Sequence, residues 1–406
     1  MSVVLGILVG LFMLVFLVTA HEFGHFLMAR KNGVEVEEFG ICFPPRAIAW
    51  RKVNGKWRRL KKSEWDNAPG EGTILSLNWL PIGGFCQMKG ESDADTQKGS
   101  FGKARYWRKT LILFGGVLAN WVVAFVILTV LAWVGMPQFI ENQFKVSGDT
   151  QIITIKNVTV TEVKEGSPAA TAGLREGDEI VSLRSVDDEG GNIFFVKDVN
   201  GLLAFDNEHA GKDVYVTVKR NEKMITSQVT LNEADAEYVL GAGISGEAIY
   251  RSTWSAPVVG AGLTLQLTGE TFKGIGQLFV NLFSGLTKQV NPSEEVREAG
   301  AAELKSAGDS VSGPIGIVGV LFPAVLRNGG QTLFFFVALI SVSLACMNVL
   351  PIPALDGGRW LMITIARLRK KRLTKKAEEK IVSRSFIVIL IIALIVTILD
   401  VMRIFG

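Results

Sequence analysis

The sequence predicts a polytopic α-helical membrane protein with four transmembrane helices and an extracytoplasmic β/α domain between the second and third. Three observations predict it. The 406-residue chain is 48% hydrophobic, with a mean hydropathy of +0.31. That is too apolar for a soluble protein of this length and too polar for a bundle of spans throughout. Apolar stretches of about 18 residues or more are long enough to cross a bilayer. They cover 3–29, 111–133 and 386–404, and a fourth, 332–350, carries Ser341, Ser343 and Asn348. Basic segments alternate with these stretches: residues 30–109 hold 16 Lys or Arg, and 367–376 read RLRKKRLTKK.

Positive charge collects on the cytoplasmic side of a membrane. The N-terminus is therefore expected outside, 30–109 inside, 135–331 outside, 351–382 inside and the C-terminus outside. The first stretch is too long for a signal-peptide core and has no basic leader, so it reads as a retained span. The net charge is +4, and Cys42, Cys86 and Cys346 form no C-x-x-C pair. A cysteine zinc site and a disulfide framework are both disfavoured, and no nucleic-acid partner is expected. The boundaries read as 1–136 (first two spans and the intervening cytoplasmic segment), 137–246 (β/α domain), 247–331 (amphipathic surface helices and linker) and 332–406 (last two spans).

Span one ends in FLVTAHEFGHFLMAR, residues 16–30. Residues i and i+4 lie on one helix face, so the His21 and His25 rings point the same way. Two imidazoles at this spacing suit Zn²⁺, with Glu22 beside the first ligand as a base toward water. Ionisable groups in a span are costly and usually functional, which weighs against two core histidines and a buried acid. A catalytic zinc site takes a third protein ligand. His209, the remaining histidine, lies in the outer segment. MNVLPIPALDGGRW, 347–360, supplies Asp356 just past the inner end of span three. Pro351 and Pro353 end that helix, and Gly357-Gly358 permits a tight turn that aims Asp356 back at span one. Glu35, Glu37 and Glu38 fall in a strand region, and Asp400 lies near the outer end of span four.

In the outer segment, 212–231 reads as a hairpin around Arg220–Lys223. In GSPAATAGLREGDEIVSL, Ser167-Pro168 starts a short helix, Gly173 ends it and Gly177-Asp178 makes the next turn. This stretch resembles a PDZ domain of the bacterial protease-associated type. Such a domain takes up a chain end by strand addition, or else covers the site as a steric filter. Residues 253–286 read as an amphipathic helix along the outer surface, 291–309 as a linker or loose helix, and 312–326 as a packing or membrane-dipping segment.

H-E-F-G-H in span one, N-V-L-P-I-P-A-L-D-G at span three and the intervening PDZ-like domain together resemble the site-2 protease family. The likeness is to its bacterial RseP-type intramembrane proteases. FGGVLAN (114–120), LNWLPIGGFCQMKGE (77–91) and SGPIGI (312–317) extend it over most of the chain. A departure is the single PDZ domain, where many Gram-negative members carry two. The resemblance implies one catalytic Zn²⁺ on His21, His25 and Asp356, with Glu22 as general base. It implies a membrane-associated β-loop after span one; Gly83, Gly84 and Phe85 in that loop are expected to hold an unwound substrate by strand addition. Asn348, with Pro351 and Pro353, is implied at the substrate backbone, and Asn120 as possible site support. The expected substrates are single-span membrane proteins already trimmed outside, such as anti-sigma factors, or signal-peptide remnants. The expected location is the bacterial inner membrane, with the site toward the cytoplasm. A non-catalytic PDZ scaffold and a zinc transporter are the competing readings. The first needs none of the four site residues, and the second needs ligands along spans two and four, which offer almost none.

Overall fold

The structure, a computed structural model, describes residues 3–65, 67–140, 142–187, 192–236, 238–291, 293–309, 313–371 and 373–405. Ser312, the first residue of the SGPIGI likeness, lies outside them, as does Pro292 in the expected linker. The chain divides into two compact units: residues 1–128 with 261–406, and residues 129–260.

The first unit begins with α1 (Val3–Lys31), apolar on every face as a span requires. A three-stranded sheet follows, built from β1 (Val36–Val53), β2 (Lys56–Arg59) and β3 (Glu71–Met88) in the order β2-β1-β3. The centre of β1 is paired on both sides by β3: Phe39 faces Cys86 and Leu75, and Gly40 faces Phe85 and Ser76. A Cβ on Gly40 would lie 2.3 Å from the Phe85 ring, so glycine is what admits that ring. Around the bend of β3, Trp79, Leu80, Ile41 and Phe43 are exposed apolar side chains. Next comes α2 (Tyr106–Val134), whose last turn and a half belongs to the second unit.

The second unit is a β/α domain. Its sheet holds β4 (Met136–Pro137), β5 (Gln151–Val163), β6 (Glu179–Ser185), β7 (Phe194–Phe195), β8 (Asp213–Arg220), β9 (Lys223–Thr230) and β10 (Ala242–Arg251). The order is β4-β10-β5-β6-β8-β9, with β7 on β6. Two short helices, α3 (Pro168–Thr171) and α4 (Val199–Glu208), accompany it. The expected domain limits of 137 and 246 are too narrow, because β4 begins at Met136 and β10 pairs with it as far as Tyr250. The β8–β9 hairpin turns at Asn221-Glu222, as the sequence predicts. Alternate residues Val214, Val216 and Val218 point into a core with Val158, Val160, Leu183 and Leu202. Ser167 caps α3 by accepting from the Ala170 amide, and Gly173 and Gly177 take the left-handed conformations of the following turns.

The turn at Gly177 is locked by charge. Arg220 Nε and Nη2 each donate to the buried Asp178 carboxylate at 2.6 Å, and the Arg175 amide adds a bond of 2.8 Å. The Arg220 guanidinium holds the Asp178 carboxyl below the usual carboxylate range. Removing one partner leaves a buried charge alone, so Arg220→Ala should cost about 3 kcal/mol. Hydrogen exchange of the β6 and β8 amides checks this. A carboxyl whose folded value is depressed contributes stability above its unfolded pKa and loses it as pH falls through the folded value. The gap between parent and variant should therefore narrow below about pH 4.

The chain returns to the first unit through α5 (Ala256–Gln289), followed by α6 (Glu294–Asp309). Of the two readings of 291–309, a linker or a loose helix, the structure has the helix; its alanine-rich, charged sequence favours a solvated one. The segment after it is broken: α7 (Pro314–Gly316), a π-turn over Ile317–Leu321, then α8 (Phe322–Arg327). α8 packs on α1 where the latter has no side chains. A Cβ on Gly6 would lie 2.5 Å from Pro323, and one on Gly10 would lie 2.8 Å from the Phe322 ring. The last elements are α9 (Gly330–Val349), α10 (Asp356–Leu368) and α11 (Lys375–Phe405). Among the described residues, four helices are long and apolar enough to cross a membrane: α1, α2, α9 and the Lys375–Ile398 part of α11.

Candidate metal centre

Two donors come from α1. His21 and His25 are both buried, one turn apart, with ring centroids 4.8 Å apart and the rings edge-on. Their Nε2 atoms are 3.1 Å from each other. Asp356, the first residue of α10, places Oδ2 3.1 Å from His21 Nε2 and 3.2 Å from His25 Nε2. Donors about 2.0–2.1 Å from a tetrahedral zinc stand roughly 3.3 Å apart, so the triangle has the size of one zinc face. Among the described residues, these three alone form a cluster of His, Cys, Asp or Glu donors fit for a metal.

The hydrogen bonds on the far ring nitrogens fit the same reading. His25 Nδ1 donates to the Ile112 carbonyl at 2.8 Å. A neutral imidazole bonded this way carries a lone pair on Nε2. In that tautomer Nε2 of His25 converges with His21 Nε2 and Asp356 Oδ2, the geometry of three donors around one ion. On the other ring, His21 Nδ1 lies 3.4 Å from the Asn120 amide nitrogen, while Asn120 Oδ1 is buried with no partner. The two amide atoms exchange places on a half-turn. Turned so, Oδ1 accepts the Nδ1 proton and satisfies both groups. Asn120 is itself held by Ser341 of α9, whose hydroxyl donates to the Asn120 backbone carbonyl at 2.9 Å.

Glycines bring the helices this close. A Cβ on Gly24 of α1 would sit 2.1 Å from the Gly115 carbonyl oxygen of α2. A Cβ on Gly116 would sit 2.5 Å from His25 Nε2 and 2.6 Å from His21 Nε2. Gly357 and Gly358 act in the same way. They were expected to form a turn, but neither has a positive φ. They lie in the first turn of α10, where a Cβ would fall 2.0 Å from the carbonyl oxygens of Val349 and Ile352. Asp356 is thus aimed by a helix start packed against the end of α9.

The cluster borders a cavity of about 220 Å³. Glu22 lines it without joining the donor triangle, together with Cys86, Met88 and Glu91 after the bend of β3 and with Asn348, Leu355 and Arg359. A second, polar cavity of about 540 Å³ shares Met88, Glu91, Ala354 and Arg359 with the first and reaches Lys375 and Glu378. The two thus adjoin along a lining that includes charged side chains.

Other expected residues are dispersed. Asn348 lines the metal cavity, but its amide donates to the Leu344 carbonyl at 3.0 Å. Gly83, Gly84 and Phe85 sit earlier on β3, Gly83 near Val18 and Gly84 near Thr19 of α1, and do not line it. Pro351 and Pro353 stay in the α9–α10 connection, also outside the lining. His209 lies in the second unit, its ring stacked on Phe205 and its Nδ1 2.9 Å from the Phe205 carbonyl. Glu38 pairs with Arg46 at 2.9 Å, and Asp400 accepts from the Gly316 amide at 2.9 Å. Sequence reasoning missed Gly116, the Ile112 carbonyl and Arg359. For Gly116 a signal existed in FGGVLAN.

Known proteins are similar in sequence to most of the chain. The profile of peptidase family M50 matches residues 9–60 and 64–393. A Clostridium perfringens protein described as "putative zinc metalloprotease" is 29% identical over 387 residues, covering 95% of both chains. A Nostoc protein of the same description is 27% identical over 395 residues, covering 95% of this chain and 93% of its own. One from Staphylococcus aureus is 25% identical over 484 aligned positions, covering 97% and 98%. With the match running from the first apolar helix into the last, the chain belongs to peptidase family M50 and is a multi-pass membrane zinc metalloprotease.

Proposed function

We propose that the protein is an intramembrane endopeptidase that cuts the transmembrane segments of single-span membrane proteins already trimmed outside, such as anti-sigma factors, or signal-peptide remnants. The observation that carries this reading is that the donor triangle begins inside an apolar helix long enough to span a bilayer. His21, His25 and Asp356 hold the zinc. When bound, the ion supplies Lewis-acid polarisation of the scissile carbonyl and activation of water. Glu22 takes the proton from the attacking water and delivers it to the leaving nitrogen. Arg359 and Asn348, on the cavity wall, are placed to orient the substrate backbone.

A helical substrate hides its carbonyls in i to i−4 bonds and must unwind before attack. Residues 84–87 of β3 pair with β1 along one edge only, among the described residues, and Cys86 and Met88 reach the metal cavity. The other edge is open to an unwound segment by strand addition, with Gly83, Gly84 and Phe85 at the upstream end of the clamp. The exposed apolar residues at the bend of β3 suit a loop seated in lipid.

The alternation of basic segments supports a metal site toward the cytoplasm of a bacterial inner membrane, with the β domain outside. That domain, PDZ-like in its GSPAATAGLREGDE turn, captures the chain end of a trimmed substrate. A metal transporter would need a series of sites, and one cluster is found among the described residues.

Reconstitution with a single-span substrate in vesicles tests this reading. The expected product, mapped by mass spectrometry, ends within the apolar segment, and a zinc chelator abolishes it. Cleavage confined to soluble loops would overturn the intramembrane assignment.

A further inference from the structure

The β domain holds a buried acid that its fold does not use. Asp206 of α4 is 4% exposed, and its enclosed Oδ1 has no hydrogen-bond partner among the described residues. It lines a cavity of about 390 Å³ between α4 and the start of β10. Burial alone pushes its carboxyl up to about 7. A buried carboxylate without a donor is costly, and folding gains nothing from it: leucine or asparagine would fill the same volume.

The surroundings are those of a peptide groove. β4 pairs β10 only at Ile249 and Tyr250, so the edge of β10 from Ala242 to Ala248 that faces away from β5 is unpaired among the described residues. Gly243 and Ile244, on that stretch, line the cavity together with Leu203 of α4. The mouth is pinned. The Ala169 amide donates to the Leu240 carbonyl at 2.9 Å, and the Lys164 amide donates to that of Gly241 at 3.0 Å. Gly241 has φ +75°, and a Cβ there would lie 2.4 Å from Ser167. The charged side chains on the lining are Glu162, Asp206 and Lys164, and Lys164 Nζ sits 4.8 Å above the Tyr238 ring. Among the described lining residues, carboxylates outnumber cations by one.

We propose that this groove binds an extended chain segment by strand addition to β10 and selects a lysine or arginine, whose side chain enters the cavity and pairs with Asp206. The inference rests on the peptide-capture reading of the β domain and adds the chemistry of the captured segment. A hydroxyl would donate one hydrogen bond but leave the charge uncompensated. A cationic side chain supplies both, and its methylene stem covers the apolar wall of Leu203 and Ile244.

The test uses the full chain in detergent micelles, carrying Glu22→Gln so that probes stay intact. The probes are fluorescein-labelled valine–threonine peptides about ten residues long. One lysine, or norleucine as its neutral counterpart, is walked along the sequence, and binding is read by fluorescence anisotropy. In the best register the lysine peptide should bind about tenfold or more tighter than the norleucine peptide. Asp206→Asn should erase that difference while keeping norleucine binding, which also certifies the fold. Asp206→Leu, suited to the same apolar site, should reverse the preference. Equal binding of both peptides to the parent would overturn the role of Asp206 and leave peptide capture standing, and so would a preference that survives Asp206→Asn. No binding of any peptide would overturn both.

Discussion

Gly116→Ala should empty the metal centre while leaving the helices folded. The added Cβ would lie 2.5 Å from His25 Nε2 and 2.6 Å from both Nε2 and Cε1 of His21. Ordinary carbon–nitrogen contact needs roughly a further ångström, so at least one ring must swing off the donor triangle. Its Nδ1 partner, the Ile112 carbonyl or Asn120, is then lost as well. Perturbing such orienting contacts alone costs a metal site about 10–100-fold in affinity. Displacing a donor costs more. The expected result is zinc content falling from about one per chain to a small fraction, with proteolysis lost in proportion. Gly24→Ala is the contrast. Its Cβ would meet the Gly115 carbonyl oxygen at 2.1 Å, and backbone cannot swing aside. That variant should lose thermal stability by about 1–3 kcal/mol through overpacking. Metal analysis beside thermal unfolding separates the two. Full zinc occupancy in a folded Gly116→Ala protein would show that the helices part more easily than this packing allows.

The contrast marks what the sequence carries. Hydrophobic runs and basic loops announced four spans because bilayer thickness and charge asymmetry act on composition, which can be read without coordinates. The histidines were legible because helical pitch converts i, i+4 directly into proximity. Asp356 was legible by elimination on one side of the membrane, but the reason given for its aim was wrong. Gly357 and Gly358 were read as turn glycines, whereas they are contact glycines, needed because Val349 and Ile352 carbonyls crowd the first turn of α10. A glycine's spelling does not say which of its two freedoms is in use. Long-range partners were invisible for the same reason: the Ile112 carbonyl belongs to the backbone, and any residue could supply it. Asp206 shows a further limit. It sits at an ordinary polar position in VNGLLAFDNE, and only the closure of β10 beside α4 makes it a buried, unpartnered acid.

Glu22→Gln is the variant that separates chemistry from metal binding. Glutamine matches glutamate in size and keeps a carbonyl oxygen toward the cavity. Glu22 is not one of the three converging donors, so zinc content should remain at about one per chain. Glutamine cannot take a proton from water at neutral pH, and general-base catalysis contributes about 10²–10⁴-fold. Cleavage of a reconstituted single-span substrate should therefore fall by at least about 100-fold, with substrate binding retained. His25→Ala should differ in kind, because it removes a donor and breaks the bond to Ile112. Zinc and activity should disappear together. If Glu22→Gln kept more than about a tenth of parental cleavage with zinc in place, the proton acceptor would lie elsewhere. Glu91 would then be the residue to test, because it is the other carboxylate on the cavity wall outside the donor triangle. If instead Glu22→Gln lost zinc, Glu22 would be supporting the donors, and the division of labour between base and ligands would have to be redrawn.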